Sequence, residues 1–462
     1  MQIIREEPKL YAAVLGEQPV NMGQPYRRAD FCCTAAAPDG KTVVSNTFTR
    51  EIFLPSDAEL ALLQQDTVLA DETSAELIRK WYFVPPEYDE ITAIDDLRMF
   101  LRMVAEKKAG QKSALLMMTG NCNARCFYCY QKGRFTCKDT MTNETAEAVA
   151  DYLADFAGES ELRLNWHGGE PTLCAEQIDI ICNRLRARGV RFWSAAYTNG
   201  YLLDESLAAH AKQQWELRGV QITMDGPEDV YNRCKAYVYK NDPSPYRHIL
   251  SNIRGMLDMG IRVSVRVNVD RHNAQQLKVL AKDLADAFGK DSQFALYCAA
   301  LFEDCRDLTK AYSEQMREEI TEQMILFQQY CQELGLTVQH KFGRSITLHC
   351  CVATDPLRVE ILPSGELSCC DHAIANDIYG SVFSADRDLA LRASWLQSRN
   401  CKEMCTGCTA YADCIMLKNC TAHAHGCNPS FRRLRNYQLQ AGILEEYRNW
   451  RTKSGLEKEE ME

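Results

Sequence analysis

From Ala114 onward, apolar and polar positions along the chain follow two alternating rhythms. Short apolar runs at 114–118 (ALLMM), 162–166, 190–197, 220–224, 261–269 and 293–297 predict strands. Between them, helical periodicity predicts helices over 143–157, 175–188, 204–214, 246–259, 273–288 and 313–334. Gly189, Gly260, Gly289 and Gly335 follow the last periodic residues of four of these helices. Glycine there is a helix stop, because it accepts the left-handed backbone that a side chain resists. Six strand–helix units in series predict parallel strands joined by right-handed crossovers in an open or partial barrel. Chemistry is then expected at the strands' C-terminal ends.

The flanks break this rhythm. Residues 1–100 hold β-like pieces (KTVVSN, REIFLP), helical runs near 57–65 and 73–81, and the Pro-Pro turn of YFVPPEYDE, which together predict a small α+β module. Beyond 345 the chain is turn-rich until a charged helix at 429–452, with a solvated tail after it. The expected division is 1–100, 101–340, 341–430 and 431–462.

Length and composition narrow the function. At roughly 150 residues per domain, 462 residues suggest about three units. The 53 basic and 63 acidic residues leave a net charge of −10, and no basic run stands out. Duplex nucleic acid and anionic membrane are therefore unexpected partners. The N-terminus has no basic segment followed by an apolar stretch, and no apolar window of about 18 residues occurs, so a cytoplasmic protein is expected. Cysteine is the anomaly: there are 22, of which ten fall between Cys350 and Cys427. A long, unsignalled chain of ordinary composition uses such clusters for metal rather than for disulfides.

Cys122, Cys126 and Cys129 form C-x3-C-x2-C directly after the first barrel strand. Three thiolates on one tight loop suit three corners of a [4Fe-4S] cube with one iron left open; a three-thiolate zinc site is the competing reading. The loop resembles that of the radical S-adenosylmethionine superfamily. Tyr128 stands where that family has the aromatic residue facing adenine. Gly168, Gly169, Glu170 and Pro171 resemble its GGEP motif, whose backbone meets the cofactor's amino group. TNG (198–200), ITMDGP (222–227) and VRVNVD (265–270) end the next three strands in the family's order. The resemblance implies cofactor contacts from Thr198, Asn199, Thr223, Arg233 and Arg266, although Arg233 sits one residue short of the expected spacing. It also implies reductive cleavage of S-adenosylmethionine to a 5′-deoxyadenosyl radical that takes a hydrogen atom from substrate.

Ten cysteines in the C-terminal stretch exceed the needs of one four-thiolate site, so two clusters are the economical count; a pair of zinc ribbons is the alternative. The segment resembles the SPASM extension of peptide-modifying radical enzymes, which carries two auxiliary [4Fe-4S] clusters. Gly365 lies between Cys351 and Cys370 at that family's spacing, and Cys405, Cys408 and Cys414 give C-x2-C-x5-C. By similarity Cys351, Cys370 and Cys420 would serve the first auxiliary cluster, and Cys405, Cys408, Cys414 and Cys427 the second. Cys414 and Cys420 are separated by five residues where the family usually has three. The first cluster's usual fourth ligand would fall near Ser345, which leaves Cys350, Cys369, Cys401 or an open iron. Asp371 follows Cys370, where sulfatase-maturing relatives carry a catalytic base; a turn cap is the alternative. His349, His372, His423 and His425 are read as packed or solvated, and Cys298 and Cys305 are given no role.

Residues from about 24 to 100 resemble the leader-peptide recognition module of peptide maturases. The expected fold is thus a partial (β/α)6 TIM-like barrel with an N-terminal winged-helix-like α+β module and a C-terminal cysteine-rich SPASM extension. The function this implies is a peptide maturase using S-adenosylmethionine and three [4Fe-4S] clusters to install a thioether or carbon-carbon cross-link. Its partners would be a precursor peptide with a leader and a reductant such as flavodoxin or ferredoxin. Formylglycine formation in a sulfatase, and a non-catalytic zinc or iron-sulfur protein, are the competing functions.

Overall fold

The computed structural model describes residues 1–107, 110–129, 131, 139–289, 291–301, 312–340, 342–371, 377–397, 402–420 and 427–454. His372, His423, His425, Cys305, Cys401 and the expected tail from 455 lie outside these residues. Six parallel strands carry the centre: β1 (Lys112–Thr119), β2 (Leu162–Gly168), β3 (Phe192–Thr198), β4 (Leu217–Thr223), β5 (Arg262–Val269) and β6 (Phe294–Ala300). The helices between and after them are α1 (Asn143–Ala157), α2 (Ala175–Ala187), α3 (Glu205–Gln214), α4 (Glu228–Lys235), α5 (Pro245–Asp258), α6 (Leu277–Phe288) and α7 (Glu314–Glu333).

One side of each strand faces the helices. Ala114, Leu116 and Met118 of β1 and Leu162, Leu164 and Trp166 of β2 are buried there with Val149 and Leu153 of α1 and Ile178 and Ile181 of α2. Side chains alternate along a strand, so the intervening positions line the inner face. That face is mixed: Asn165, His167, Ser264, Arg266 and Asn268 stand on it with Leu115 and Met117. Strands buried under helices on one side, with polar side chains on the inner face, explain why the sequence reads as apolar runs interrupted by polar residues.

The sheet does not end at β1. The segment after 345 adds β7 (Arg358–Ile361) parallel to β1, then β8 (Glu366–Ser368) and β9 (Ile378–Ser381) antiparallel. The strand order is β6-β5-β4-β3-β2-β1-β7-β8-β9. The sheet is open at both ends, and the cysteine-rich segment is an extension of it. The helix stops also differ at one position. Gly189, Gly260 and Gly335 have positive φ as expected, but Gly289 has φ −59°. A Cβ at Gly289 would lie 2.6 Å from the Ala285 carbonyl oxygen, so the residue is small for lack of space.

Residues 1–107 form an α+β unit with two antiparallel sheets. One has the order Gln2–Arg5, Ile52–Leu54, Thr42–Asn46, Cys32–Ala36; the other Thr67–Leu69, Pro25–Arg28, Phe83–Val84. An unforeseen helix, Glu90–Lys107, runs across the expected division at residue 100 and buries Ile94, Leu97, Arg98 and Leu101 on one face. This unit grips the C-terminal segment. Arg50 makes a double hydrogen bond to Asp413 at 2.8 and 2.7 Å, Tyr11 Oη lies 2.7 Å from Ser345 Oγ, and Arg98 Nε donates to the Thr347 carbonyl at 2.9 Å. Helix α8 (Pro429–Lys453) packs on α7 and on the strand Cys32–Ala36, which closes the assembly. Among the described residues no helix is long and apolar enough to cross a membrane.

Candidate functional site

The C-terminal ends of β1 to β5 converge on the loop carrying Cys122, Cys126 and Cys129. β2 is tied to it by backbone hydrogen bonds from Gly169 N to Thr119 O (2.7 Å) and from Glu170 N to Asn121 O (2.9 Å). A Cβ at Gly169 would lie 2.1 Å from Asn121 O, and one at Gly168, where φ is +132°, would lie 2.4 Å from Thr119 O. The glycine pair is therefore what lets the cysteine loop close over β2. Ala124 N donates to Cys122 Sγ at 3.3 Å, and Asn199 Nδ2 donates to Asn123 Oδ1 at 2.6 Å and lies 3.8 Å from Cys122 Sγ. Burial pushes the Cys122 thiol up to about 11, with Glu170, Cys126 and Cys129 adding to it. Such a thiol ionises when a cation binds it.

Glu170 is fully buried and its carboxylate is consumed by protein donors. Oε1 accepts from Thr172 N, Thr172 Oγ1 and Thr198 Oγ1, and Oε2 from Asn199 N. It thereby ties the ends of β2 and β3 together and sets Asn199 against the cysteine loop. Burial raises its pKa and these hydrogen bonds work against the rise.

Tyr128 is pinned on the other side. Its hydroxyl donates to Asp225 Oδ2 and accepts from Lys235 Nζ at 2.7 Å, and Lys235 pairs with Asp225 at 3.1 Å. Asp225 Oδ1 accepts from Asn268 N, and Arg266 Nε donates to Asn268 Oδ1. Thr223 stands beside Arg266 in register. Arg233 is not part of this group: it is 71% exposed and pairs with Asp229. The buried cation at the loop is Lys235, whose carbonyl accepts from Arg125 N at 2.7 Å. Burial opposes its charge, but Asp225, Tyr128 and Cys126 outweigh that and hold it protonated. The signal for Lys235 was its place four residues after Tyr231, on the buried face of α4.

The C-terminal cysteines form two groups. Cys350, Cys351, Cys370 and Cys420 line a cavity of about 780 Å³ together with Ser345, His349, Arg358, Asp371 and Trp395. Cys350 Sγ lies 3.7 Å from Cys351 Sγ; that hydrogen bond pulls Cys350 below the usual thiol range and pushes Cys351 above it. His349 Nδ1 lies 2.6 Å from the Thr354 carbonyl. Cys405, Cys408, Cys414 and Cys427 line a second, smaller pocket with Met404, Tyr411 and Phe431. Arg435 lines both. Of the candidates for a fourth ligand of the first group, Cys350 faces the cavity and Cys369 is packed in the core. Among the described residues no three His, Cys, Asp or Glu side chains are close enough to chelate a single metal ion. Four of the residues lining the second pocket are cysteines, a set that fits an iron-sulfur cluster. At the loop, Asn123 Nδ2 is buried without a hydrogen-bond partner beside Cys122.

Residues 116–284, from β1 into α6, match the sequence model of the Radical SAM superfamily. That stretch is the part of the chain that matches the radical SAM model. The chain is similar in sequence to an uncharacterized protein of Methanocaldococcus jannaschii (29% identical, 40% of this chain), an S-adenosylmethionine-dependent nucleotide dehydratase of Pseudoalteromonas ulvae (30%, 23%) and a probable GTP 3′,8-cyclase of Saccharolobus solfataricus (26%, 35%). The chain spans 61%, 38% and 49% of their lengths. Two solved structures share the fold. Native anSMEcpe with bound AdoMet matches with a TM-score of 0.56, 14% identity, 74% of this chain and 99% of that one. Streptococcus suis SuiB bound to precursor peptide SuiA matches with 0.50, 11%, 88% and 98%. S-adenosylmethionine and a [4Fe-4S] cluster are typical of radical SAM domains, and Cys122, Cys126 and Cys129 are the residues here that would hold such a cluster.

Proposed function

We propose that this protein is a radical S-adenosylmethionine peptide maturase that installs a thioether or carbon-carbon cross-link in a precursor peptide. The observation that carries the reading is the sorting of eight C-terminal cysteines into two groups on the same molecule as the three-cysteine loop. Cys122, Cys126 and Cys129 would hold the first cluster, Cys350, Cys351, Cys370 and Cys420 the second, and Cys405, Cys408, Cys414 and Cys427 the third. When bound, the first cluster and S-adenosylmethionine supply hydrogen-atom abstraction.

The chain's own residues do the rest. Asn199 and the Gly168–Gly169 turn fix the loop, the Tyr128–Asp225–Lys235 group presents a buried cation beside it, and the inner face receives substrate. Asp371 stands in the cavity beside Cys370 as a candidate base. A cross-link removes a pair of electrons from the peptide, and cysteine-held clusters next to the inner face give those electrons a place to go. The open strand Thr67–Leu69, at the edge of its three-stranded sheet, is a surface on which a leader could add as a strand. SuiB and anSMEcpe were each solved with a peptide, and the proposal extends that to this chain, with a flavodoxin or ferredoxin as reductant in the cytoplasm.

Co-expression with a short cysteine-containing precursor peptide, followed by mass spectrometry, tests the reading. Loss of a pair of hydrogens from the peptide, with about 12 iron atoms per purified chain, is expected. A peptide of unchanged composition, or a zinc-loaded chain, contradicts it. Cysteine-to-formylglycine conversion in the same assay would support sulfatase maturation instead.

A further inference from the structure

A buried acid–base pair on the inner face of the sheet is used by nothing described above. His167 Nε2 of β2 lies 2.7 Å from Glu360 Oε1 of β7, and the side chains are 6% and 0% exposed. Val359 and Ile361 face the helices, as do Leu164 and Trp166, so alternation puts Glu360 and His167 on the inner face. Arg358, on the same face two residues before Glu360, lines the 780 Å³ cavity.

Leu115 and Met117 of β1 and Ser368 of β8 stand beside the pair in register and carry no charge. The charged groups facing it are Asp371, which acts on both members, and along the strands Arg358 and Arg163. Glu360 Oε2 is buried without a hydrogen-bond partner. A carboxylate oxygen enclosed in this way is costly unless a donor or a proton reaches it.

We propose that Glu360, positioned by His167, is the proton acceptor for a substrate peptide bound over the inner face of the sheet. The inference rests on the peptide-maturase reading and adds a residue to it. In the step it serves, a substrate heteroatom–hydrogen bond breaks, its electron pair stays on the substrate atom, the proton passes to Glu360 Oε2, and no electron is transferred to the pair. The pair gains one positive charge, which the Asp371 carboxylate offsets. Burial pushes the Glu360 carboxyl up to about 7, His167 drawing it down and Asp371 adding to the rise. Desolvation works against the His167 charge, and Glu360 raises its pKa overall. An acceptor balanced near neutrality is suited to this transfer.

The test uses the full, reconstituted chain with S-adenosylmethionine and its precursor peptide, and measures 5′-deoxyadenosine and modified peptide separately from about pH 6 to about pH 9. In the unaltered chain, modified peptide per 5′-deoxyadenosine is expected to rise through an inflection near neutrality. Glu360→Gln is expected to retain 5′-deoxyadenosine formation within about twofold while modified peptide falls about a hundredfold and the inflection disappears. His167→Gln keeps the carboxylate but removes the imidazole that draws its pKa down, so the inflection is expected to move to higher pH. That variant also decides the matter if Glu360→Gln fails to fold. A Glu360→Gln chain with the original ratio and inflection, or a His167→Gln chain with an unmoved inflection, overturns the assignment. So does loss of modification in Asp371→Asn alone, with Glu360→Gln intact. An unaltered chain that cleaves S-adenosylmethionine but modifies no peptide sinks the maturase reading together with this one, an outcome distinct from any difference between variants.

Discussion

Gly169 and Glu170 hold the cysteine loop without offering it a ligand. A methyl group at Gly169 would meet Asn121 O at 2.1 Å, and backbone cannot give way as a flexible side chain can. Gly169→Ala is therefore expected to lower iron content by about four atoms per chain, with the C-terminal sites still loaded, as read by iron assay on the purified protein. Glu170→Gln would turn N–H groups toward Thr198 or Asn199, which already donate. A cost of about 1–3 kcal/mol is expected in denaturant unfolding, since buried donors lose their acceptor. The loop and the GGEP stretch were legible in the sequence because each is contiguous and each uses residue types that are otherwise expensive. Lys235 was not legible, because helical phase rather than motif spacing selects it over Arg233. The fourth ligand of the first C-terminal group, left among Cys350, Cys369, Cys401 and an open iron, was also hidden. Strand alternation continuing from Leu367 and Ser368 puts Cys369 in the core and Cys370 in the cavity.

Among the elements, the helix Glu90–Lys107 joins the N-terminal unit to the cysteine-bearing segment. Its buried face repeats at Ile94, Leu97 and Leu101, a pattern present in the sequence but cut by the expected division at residue 100. Leu97→Ala is expected to cost about 2–5 kcal/mol in denaturant unfolding. Glu90, at the helix start, accepts from Asp30 N through both oxygens, and burial pushes its carboxyl from 4.5 up to about 8, with Asp30 adding and Arg27 opposing. A carboxyl raised in the folded state holds a proton that the unfolded chain has released. Its contribution is thus fully present below pH 4.5 and is lost as pH rises through 8. Glu90→Gln is expected to flatten the fall of melting temperature across that window, as measured by calorimetry; an unchanged slope would assign the dependence elsewhere. The strands β7 to β9 escaped the sequence reading because three or four residues are too few to show a period, and their pairing with β1 is decided by contacts far away in the chain.

At the scale of the whole molecule, three cysteine groups are held by one sheet and one clamp. The radical SAM domain supplies the loop at the strand ends, the sheet extension carries Cys370, and the N-terminal unit fastens the loops around Ser345 and Asp413. Arg50, fully buried, is the strongest of these fastenings through its paired hydrogen bonds to Asp413. Arg50→Ala would leave that carboxylate without its partner, and a loss of about 3–5 kcal/mol in unfolding free energy is expected. The order of strand–helix units was visible in the sequence because each unit is local; the clamp was not, because its partners are hundreds of residues apart. On the function proposed, the three-cysteine loop holds the cluster at which S-adenosylmethionine is split. The direct measurement is 5′-deoxyadenosine formed under anaerobic, reducing conditions by the unaltered chain and by C122A/C126A/C129A. Formation by the unaltered chain, falling to background in the triple variant while the C-terminal iron is retained, is the predicted result; formation at an undiminished rate in the variant would contradict it.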